Sequence, residues 1–208
     1  MLIGVDFDNT IVCYDEIFFR VAREEGLIPF DLQPSKNAVR DYLRSEGMEG
    51  LWTKMQGIVY GKRILEAKPF PGALEFFQKA SKLGEIFIIS HKTRYPYKGE
   101  IFDLQKAARD WLNSWGFYDF LGRERIFFEE TKEKKIKRIS FQKCSHFIDD
   151  LSDLLEDESF PVAVEALLFS PVGRELNKKR GNSFVSWDEI HRYFFRGELW
   201  KKNLCMRI

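Results

Sequence analysis

Leu2-Ile3-Gly4-Val5-Asp6-Phe7-Asp8-Asn9-Thr10 is the stretch that decides the fold. Its first four residues form a continuous apolar run, too short for a helix. Such a run is the mark of a strand buried on both faces. Two aspartates separated by one residue follow at once. Carboxylates beside a buried strand repel each other and lose hydration, so they persist only when paired or metal-bound. A turn or helix cap would account for one of them and leave the other unexplained.

The same pattern recurs along the chain. Glu85-Ile86-Phe87-Ile88-Ile89 runs into Ser90-His91-Lys92-Thr93, and Ser145-His146-Phe147-Ile148 ends in Asp149-Asp150. Arg125-Ile126-Phe127-Phe128 and Ala166-Leu167-Leu168-Phe169 read as two further strands. Helical patterns separate them. Ala73, Leu74, Phe76, Phe77 and Ala80 share one face, closed by Gly84, and further helices are expected near 101–114, 133–139 and 187–195. Strands alternating with helices predict an α/β protein with a parallel sheet. Ligands of such sheets bind beyond the carboxyl ends of the strands. That rule gathers Asp6, Asp8, Thr10, Ser90, Asp149 and Asp150 into one crevice.

Residues 14–68 read differently. Ile17, Phe18, Val21 and Ala22 repeat at helical spacing, Gly26 and Pro29 interrupt, and Val39, Tyr42 and Leu43 resume. No strand is expected there.

An acidic crevice of this kind suits a hard divalent cation. Magnesium takes oxygen ligands and keeps room for waters and a substrate phosphate. Phosphoryl transfer needs an in-line nucleophile, charge neutralisation and a proton donor for the leaving group. Asp6 is placed to be the nucleophile and to form an aspartyl-phosphate. Asp8 could protonate the leaving oxygen and then activate water. Thr10 and Ser90 could hydrogen-bond the phosphoryl oxygens, and a lysine is needed to hold phosphate against the aspartate. Asn9 shapes the turn.

These residues resemble the motifs of the haloacid dehalogenase (HAD) superfamily. Asp6-Phe7-Asp8-Asn9-Thr10 matches the Asp-x-Asp-x-Thr motif after a strand, Ser90 the Ser or Thr that ends a second strand, and Asp149-Asp150 the late acidic motif. The order and spacing agree over nearly the whole chain. The resemblance implies a three-layer Rossmann-like core over 1–13 and 69–208, with 14–68 as a small helical cap. It implies Mg²⁺ bound by Asp6, the backbone carbonyl of Asp8, and Asp149 or Asp150. Dehalogenases of the superfamily lack the second aspartate of the first motif, so Asp8 favours a phosphatase or phosphotransferase. The motif lysine lies among Lys132, Lys134, Lys135 and Lys137. Lys135 is favoured because it directly precedes Ile136, where the apolar face of its helix begins, and Lys134 is second choice.

Other residues carry weaker signals. Asp153 is either a partner of a metal ligand or a first-turn helix acid. His91, Lys92, Thr93 and Arg94 face the crevice, and Lys92 and Arg94 could meet a second anionic group. His146, inside a strand, reads as a satisfied core histidine, and nothing marks Cys13 as reactive. Arg20, Arg23, Trp52, Lys54 and Tyr60 are candidates for lining a cap, which would roof the crevice and favour small substrates.

Composition sets the remaining expectations. The chain has 208 residues, 33 basic and 32 acidic, for a formal net charge of +1. That balance speaks against nucleic-acid binding driven by bulk charge. Apolar residues nowhere run to the ~20 a membrane helix needs. The apolar run Leu2 to Val5 meets Asp6 too soon for a secretion signal. Cys13, Cys144 and Cys205 lie far apart and unpaired in spacing, as expected of a cytoplasmic chain. The expected activity is a phosphomonoesterase acting on a small phosphorylated metabolite such as a nucleotide or sugar phosphate. The alternatives are a phosphotransferase or phosphomutase using the same residues, and a non-catalytic phosphate-binding module.

Overall fold

The computed structural model describes residues 1–177 and 180–204, with side chains as far as 195; Cys205 lies outside the described residues. In chain order the elements are β1 (Leu2–Val5), β2 (Val12–Cys13), α1 (Asp15–Glu24), α2 (Lys36–Ser45), α3 (Glu49–Gly57), β3 (Lys68–Pro69), α4 (Ala73–Leu83), β4 (Glu85–His91) and α5 (Leu104–Ser114). They continue with β5 (Ile126–Glu129), α6 (Lys132–Phe141), β6 (His146–Asp149), α7 (Ser152–Leu155), β7 (Glu165–Phe169), β8 (Gly181–Phe184) and α8 (Trp187–Leu204).

Six strands form one sheet in the order β5-β4-β1-β6-β7-β8, every pair parallel. The chain leaves β1 for β4 and β5 on one side, then crosses to β6 on the other. The strand order therefore reverses at β1, the position where such sheets open a crevice. Val5 pairs with Ile88 of β4 and with Ile148 of β6. That register brings Asp6, Ser90 and Asp149 to the same end of three adjacent strands. Alternation sorts the strand residues onto two faces. Ile86 and Ile88 join one apolar cluster, while Phe87 and Ile89 join a second with Ile136, Ile139 and Phe147.

Gly4 has a specific reason. A Cβ there would lie 2.5 Å from the Phe147 ring on β6, so only glycine lets the two central strands approach with that ring in place.

Between residues 15 and 66 the regular elements are all helical, α1 to α3 followed by a π-helical turn at Ile58–Lys62 and a 3₁₀ turn at Ile64–Glu66. This insert leaves and returns through an antiparallel ribbon, Val12 opposite Pro69 and Cys13 opposite Lys68. Sequence patterning did not foresee that ribbon, because each arm is two residues long and one carries a proline. The insert is packed closely on the loop after β4. A Cβ at Gly57 would lie 2.8 Å from Pro96, and one at Gly61 2.8 Å from Phe102. Its apolar residues, from Ile17 to Ile64, belong to the same cluster as Phe7, Trp111 and Trp187 of the sheet-bearing part. Two indoles tie distant segments together: Trp111 Nε1 donates to the Ala67 carbonyl at 2.8 Å, and Trp187 Nε1 to the Thr10 carbonyl at 2.9 Å.

Two sequence expectations shift. The helix expected near 101 begins at Leu104, where the Asp103 side chain caps it by accepting from Lys106 N at 2.8 Å. β8, at one edge of the sheet, escaped the apolar-run criterion because its sequence Gly181-Asn182-Ser183-Phe184 is mostly polar. Among the described residues, no helix is long and apolar enough to cross a membrane.

Candidate active site

Asp6 leaves the end of β1 with its backbone N–H donating to the Ile148 carbonyl at 2.8 Å. Asp149 closes β6. Both carboxylates are buried, at 4% and 0% exposure. Lys135 reaches them from α6, its Nζ 2.6 Å from Asp6 Oδ1 and 2.6 Å from Asp149 Oδ2. Thr131 caps that helix by accepting from Lys134 N at 3.2 Å, which fixes its phase. Lys135, Ile136 and Ile139 then face inward, and Lys134 and Lys137 face solvent. Lys132 pairs with Asp157 at 2.6 Å. One lysine of the four therefore meets the acids, the one expected from the apolar phase of the helix.

Asp150 completes the acidic group. Carboxylate oxygens of Asp6, Asp149 and Asp150 all lie within 4.8 Å of one another. Three acids against one lysine leave the group short of positive charge. Burial pushes the Asp6 carboxyl up to about 7, outweighing Lys135, with Asp149 adding to the rise. Burial, then Asp149 and Asp6, also hold Asp150 well above the ordinary carboxylate range. Lys135 sits above its own ordinary value, because Asp149 and Asp6 outweigh its burial. An all-oxygen donor set with this deficit fits a hard divalent cation such as Mg²⁺. Asp153 is exposed and stands outside the set, in the first turn of α7.

The loop after Asp6 turns tightly, with Ile11 and Val12 N–H both donating to the Phe7 carbonyl at 3.1 Å. Asn9 takes the left-handed conformation at φ 60°, which asparagine tolerates. The Asp8 side chain is not part of the acidic group and is held by Tyr14 and Lys92. Its Oδ1 accepts from Tyr14 Oη at 2.6 Å, and both its oxygens accept from Lys92 Nζ, at 2.9 and 2.8 Å. The buried Thr10 hydroxyl lies 3.5 Å from Asp6 Oδ2, a long contact. Ser90 is also buried, and its hydroxyl has no hydrogen-bond partner among the described residues, so it is available for a substrate oxygen.

A cavity of about 350 Å³ opens beside Asp8 between the insert and the loop after β4. The insert contributes Lys36, Thr53, Gln56, Gly57 and Tyr60, and the core loop His91, Lys92, Thr93, Pro96 and Tyr97. Of the five insert residues expected from sequence, Tyr60 alone lines it. Arg20 pairs with Glu66, Arg23 covers the Phe30 ring, Trp52 is buried against Phe18, and Lys54 is exposed. Arg94 turns outward to Asp103 at 3.0 Å. Lys36 is the residue sequence reasoning missed. Its ammonium is held above the ordinary value: burial opposes the charge, and Tyr60, Asp150 and Asp8 outweigh it. The one sequence signal for it was Ser35, a helix-capping residue directly before it. His146 is half-buried at the far end of β6, with Nδ1 2.9 Å from Ser145 Oγ.

No protein-family model and no curated protein matches the sequence. Solved structures do. The chain is similar to a haloacid dehalogenase-like hydrolase from Streptococcus pneumoniae at 14% identity and TM-score 0.56, over 93% of this chain and 97% of that one. It is similar to a HAD family hydrolase from Deinococcus radiodurans, with bound phosphate and sodium, at 13% identity and TM-score 0.53, over 94% and 95%. A HAD-type protein from Bacillus subtilis bound to magnesium matches at 11% identity and TM-score 0.52, over 92% and 97%. The chain has the haloacid dehalogenase fold.

Proposed function

We propose that this protein is a Mg²⁺-dependent phosphomonoesterase acting on a small phosphorylated metabolite such as a nucleotide or sugar phosphate. One observation carries the reading. Lys135 Nζ lies 2.6 Å from both Asp6 and Asp149, and Asp150 joins them within a 4.8 Å group. Side chains from three separate elements converge there at the switch point of the sheet. A structural ion pair needs two such groups, and four leave an uncancelled negative charge that a cation and a phosphate would complete.

Bound Mg²⁺ would sit among Asp6, Asp149, Asp150 and the Asp8 carbonyl and neutralise charge on the transferring group. Asp6 attacks phosphorus through Oδ2, the oxygen that Lys135 leaves free. The bond from phosphorus to the leaving oxygen breaks, and that oxygen takes a proton handed on through Asp8 from its hydrogen-bond partner Lys92. Asp8 then takes a proton from water as the water attacks the aspartyl-phosphate, releasing phosphate and restoring Asp6. Lys135 and the Ser90 hydroxyl hold the phosphoryl oxygens. The insert acts as a cap that roofs the leaving group.

Replacing Asp6 by Asn tests the nucleophile. Turnover of para-nitrophenyl phosphate is expected to vanish while the melting temperature is kept. A fully active Asp6→Asn enzyme removes Asp6 from that role, and turnover that persists in excess chelator removes the metal.

A further inference from the structure

Lys36 is the first residue of α2, directly after the Ser35 cap. Its backbone N–H donates to Asp15 Oδ1 at 2.8 Å, which pins the start of the helix to α1. Its side chain reaches back to the loop after β1, where Nζ donates to Asn9 Oδ1 at 2.9 Å. The rings of Tyr60, Phe18 and Tyr14 surround the ammonium, their centroids 5.4, 5.6 and 5.9 Å away.

The other lysine of the cavity, Lys92, is committed to Asp8 through two short bonds. Lys36 differs. Among the described residues it makes no ion pair: its direct partners, the Asn9 amide and the Tyr60 hydroxyl, are neutral, and Asp150 and Asp8 act on it only from beyond ion-pair distance. An ammonium carries three donors, and withdrawing one from water is costly unless a counter-charge meets it. Lys36 also stands where two cavities meet. It borders the 350 Å³ cavity and a neighbouring one of about 180 Å³ that runs along Asp150. In the proposed mechanism the phosphoryl group binds elsewhere, at Asp6 and Lys135. Lys36 thus faces the part of the substrate that leaves.

Resting on the phosphomonoesterase reading, we infer that Lys36 is a specificity residue that receives a second anionic group on the leaving portion of the substrate. The substrate class is a small phosphomonoester that also bears a carboxylate or a second phosphate. The phosphoryl group on Asp6 and the second anion on Lys36 would then span the Asp6-to-Asn9 loop.

The test compares three probes of similar size: phosphoglycolate, ethylene glycol bisphosphate and the neutral-tailed 2-hydroxyethyl phosphate. Binding is measured by calorimetry with Mg²⁺ in the Asp6→Asn background, where turnover does not consume the probe, and kcat/KM is measured in the parent enzyme. At least one dianionic-tail or carboxylate probe is expected to bind about tenfold more tightly than the neutral one, the size of one charge-assisted hydrogen bond. Whichever is preferred identifies the second group as carboxylate or phosphate. Lys36→Met is expected to abolish the preference while affinity for 2-hydroxyethyl phosphate stays within about threefold. Lys36→Arg, which keeps the charge, is expected to retain it, and controls for damage to the fold. No preference in the parent background, or one that survives Lys36→Met, overturns the inference. A Lys36-dependent preference in a protein that hydrolyses none of the three upholds the subsite and sinks the phosphomonoesterase reading alone.

Discussion

Lys135 shows how much one side chain can decide. It is 1% exposed and lies between two buried carboxylates. Removing one partner of a buried charge group leaves the others uncompensated, at a cost of about 3–5 kcal/mol. Lys135→Met is therefore expected to lose stability on that scale in chelator. The loss should shrink when Mg²⁺ is added, because the cation supplies charge to the same acids. Denaturant titrations with and without Mg²⁺ measure both, and a loss that ignores Mg²⁺ would detach the lysine from the metal group. His146 gives a pH prediction. Burial lowers its pKa, Glu165 raises it less, and the chain's N-terminus lowers it further. The folded state thus favours neutral imidazole. That contribution is full above the unfolded value, about 6.5, and is lost as pH falls towards the lower folded value. The raised Asp6 and Asp150 carboxyls act in the opposite direction in both proteins, so the histidine is read as a difference: His146→Gln should gain denaturation midpoint relative to the parent as pH is lowered from about 7.5 to 5.5. Parent and variant curves that stay parallel contradict the assignment. At this scale the sequence was most legible for residues that end an apolar run: Asp6, Ser90 and Asp149 follow from strand patterning alone. Lys135 needed helix phase as well. Lys36 was not legible, because it lies 27 positions from Asn9 in the sequence and no local periodicity encodes that return.

Among the elements, the central pair β1 and β6 is the most constrained. Gly4 stands opposite Phe147, whose ring fills the space a side chain would need and also lies 5.5 Å from Lys135 Nζ. Gly4→Ala is expected to destabilise by about 1–3 kcal/mol through overpacking. Phe147→Leu in that background should recover part of the loss, although it is itself a core truncation. Simple additivity of the two losses in a double-mutant cycle would show that the ring is not the obstacle. The five strands with apolar runs, β5 at one edge included, were readable from those runs. The β8 edge and the β2–β3 ribbon were not, since Gly181-Asn182-Ser183-Phe184 carries no apolar run and a two-residue ribbon has no period to detect.

For the whole molecule, the continuity of the larger apolar cluster matters most. Trp52 and Met55 of the insert belong with Phe7, Trp111 and Trp187 in one packed group. The insert's buried face is thus shared with the sheet-bearing part rather than enclosed within itself. A single cooperative transition is expected on heating, with tryptophan fluorescence and far-UV circular dichroism changing together. Two separated transitions would mean that the insert melts on its own. The fold class followed from the alternation of strands and helices, but this merging of insert and core did not, because hydrophobic periodicity says which face is buried and not against what.

The bond from the Trp187 indole to the Thr10 carbonyl joins residues 177 positions apart. It also orders events during synthesis. A nascent chain that has emerged through Asp150 already carries every proposed catalytic and metal-binding side chain. The loop bearing Asp6 and Asp8 nevertheless lacks one of its ties, the Trp187 indole on the Thr10 carbonyl, until the ribosome has added that residue, so full competence is expected to arrive late.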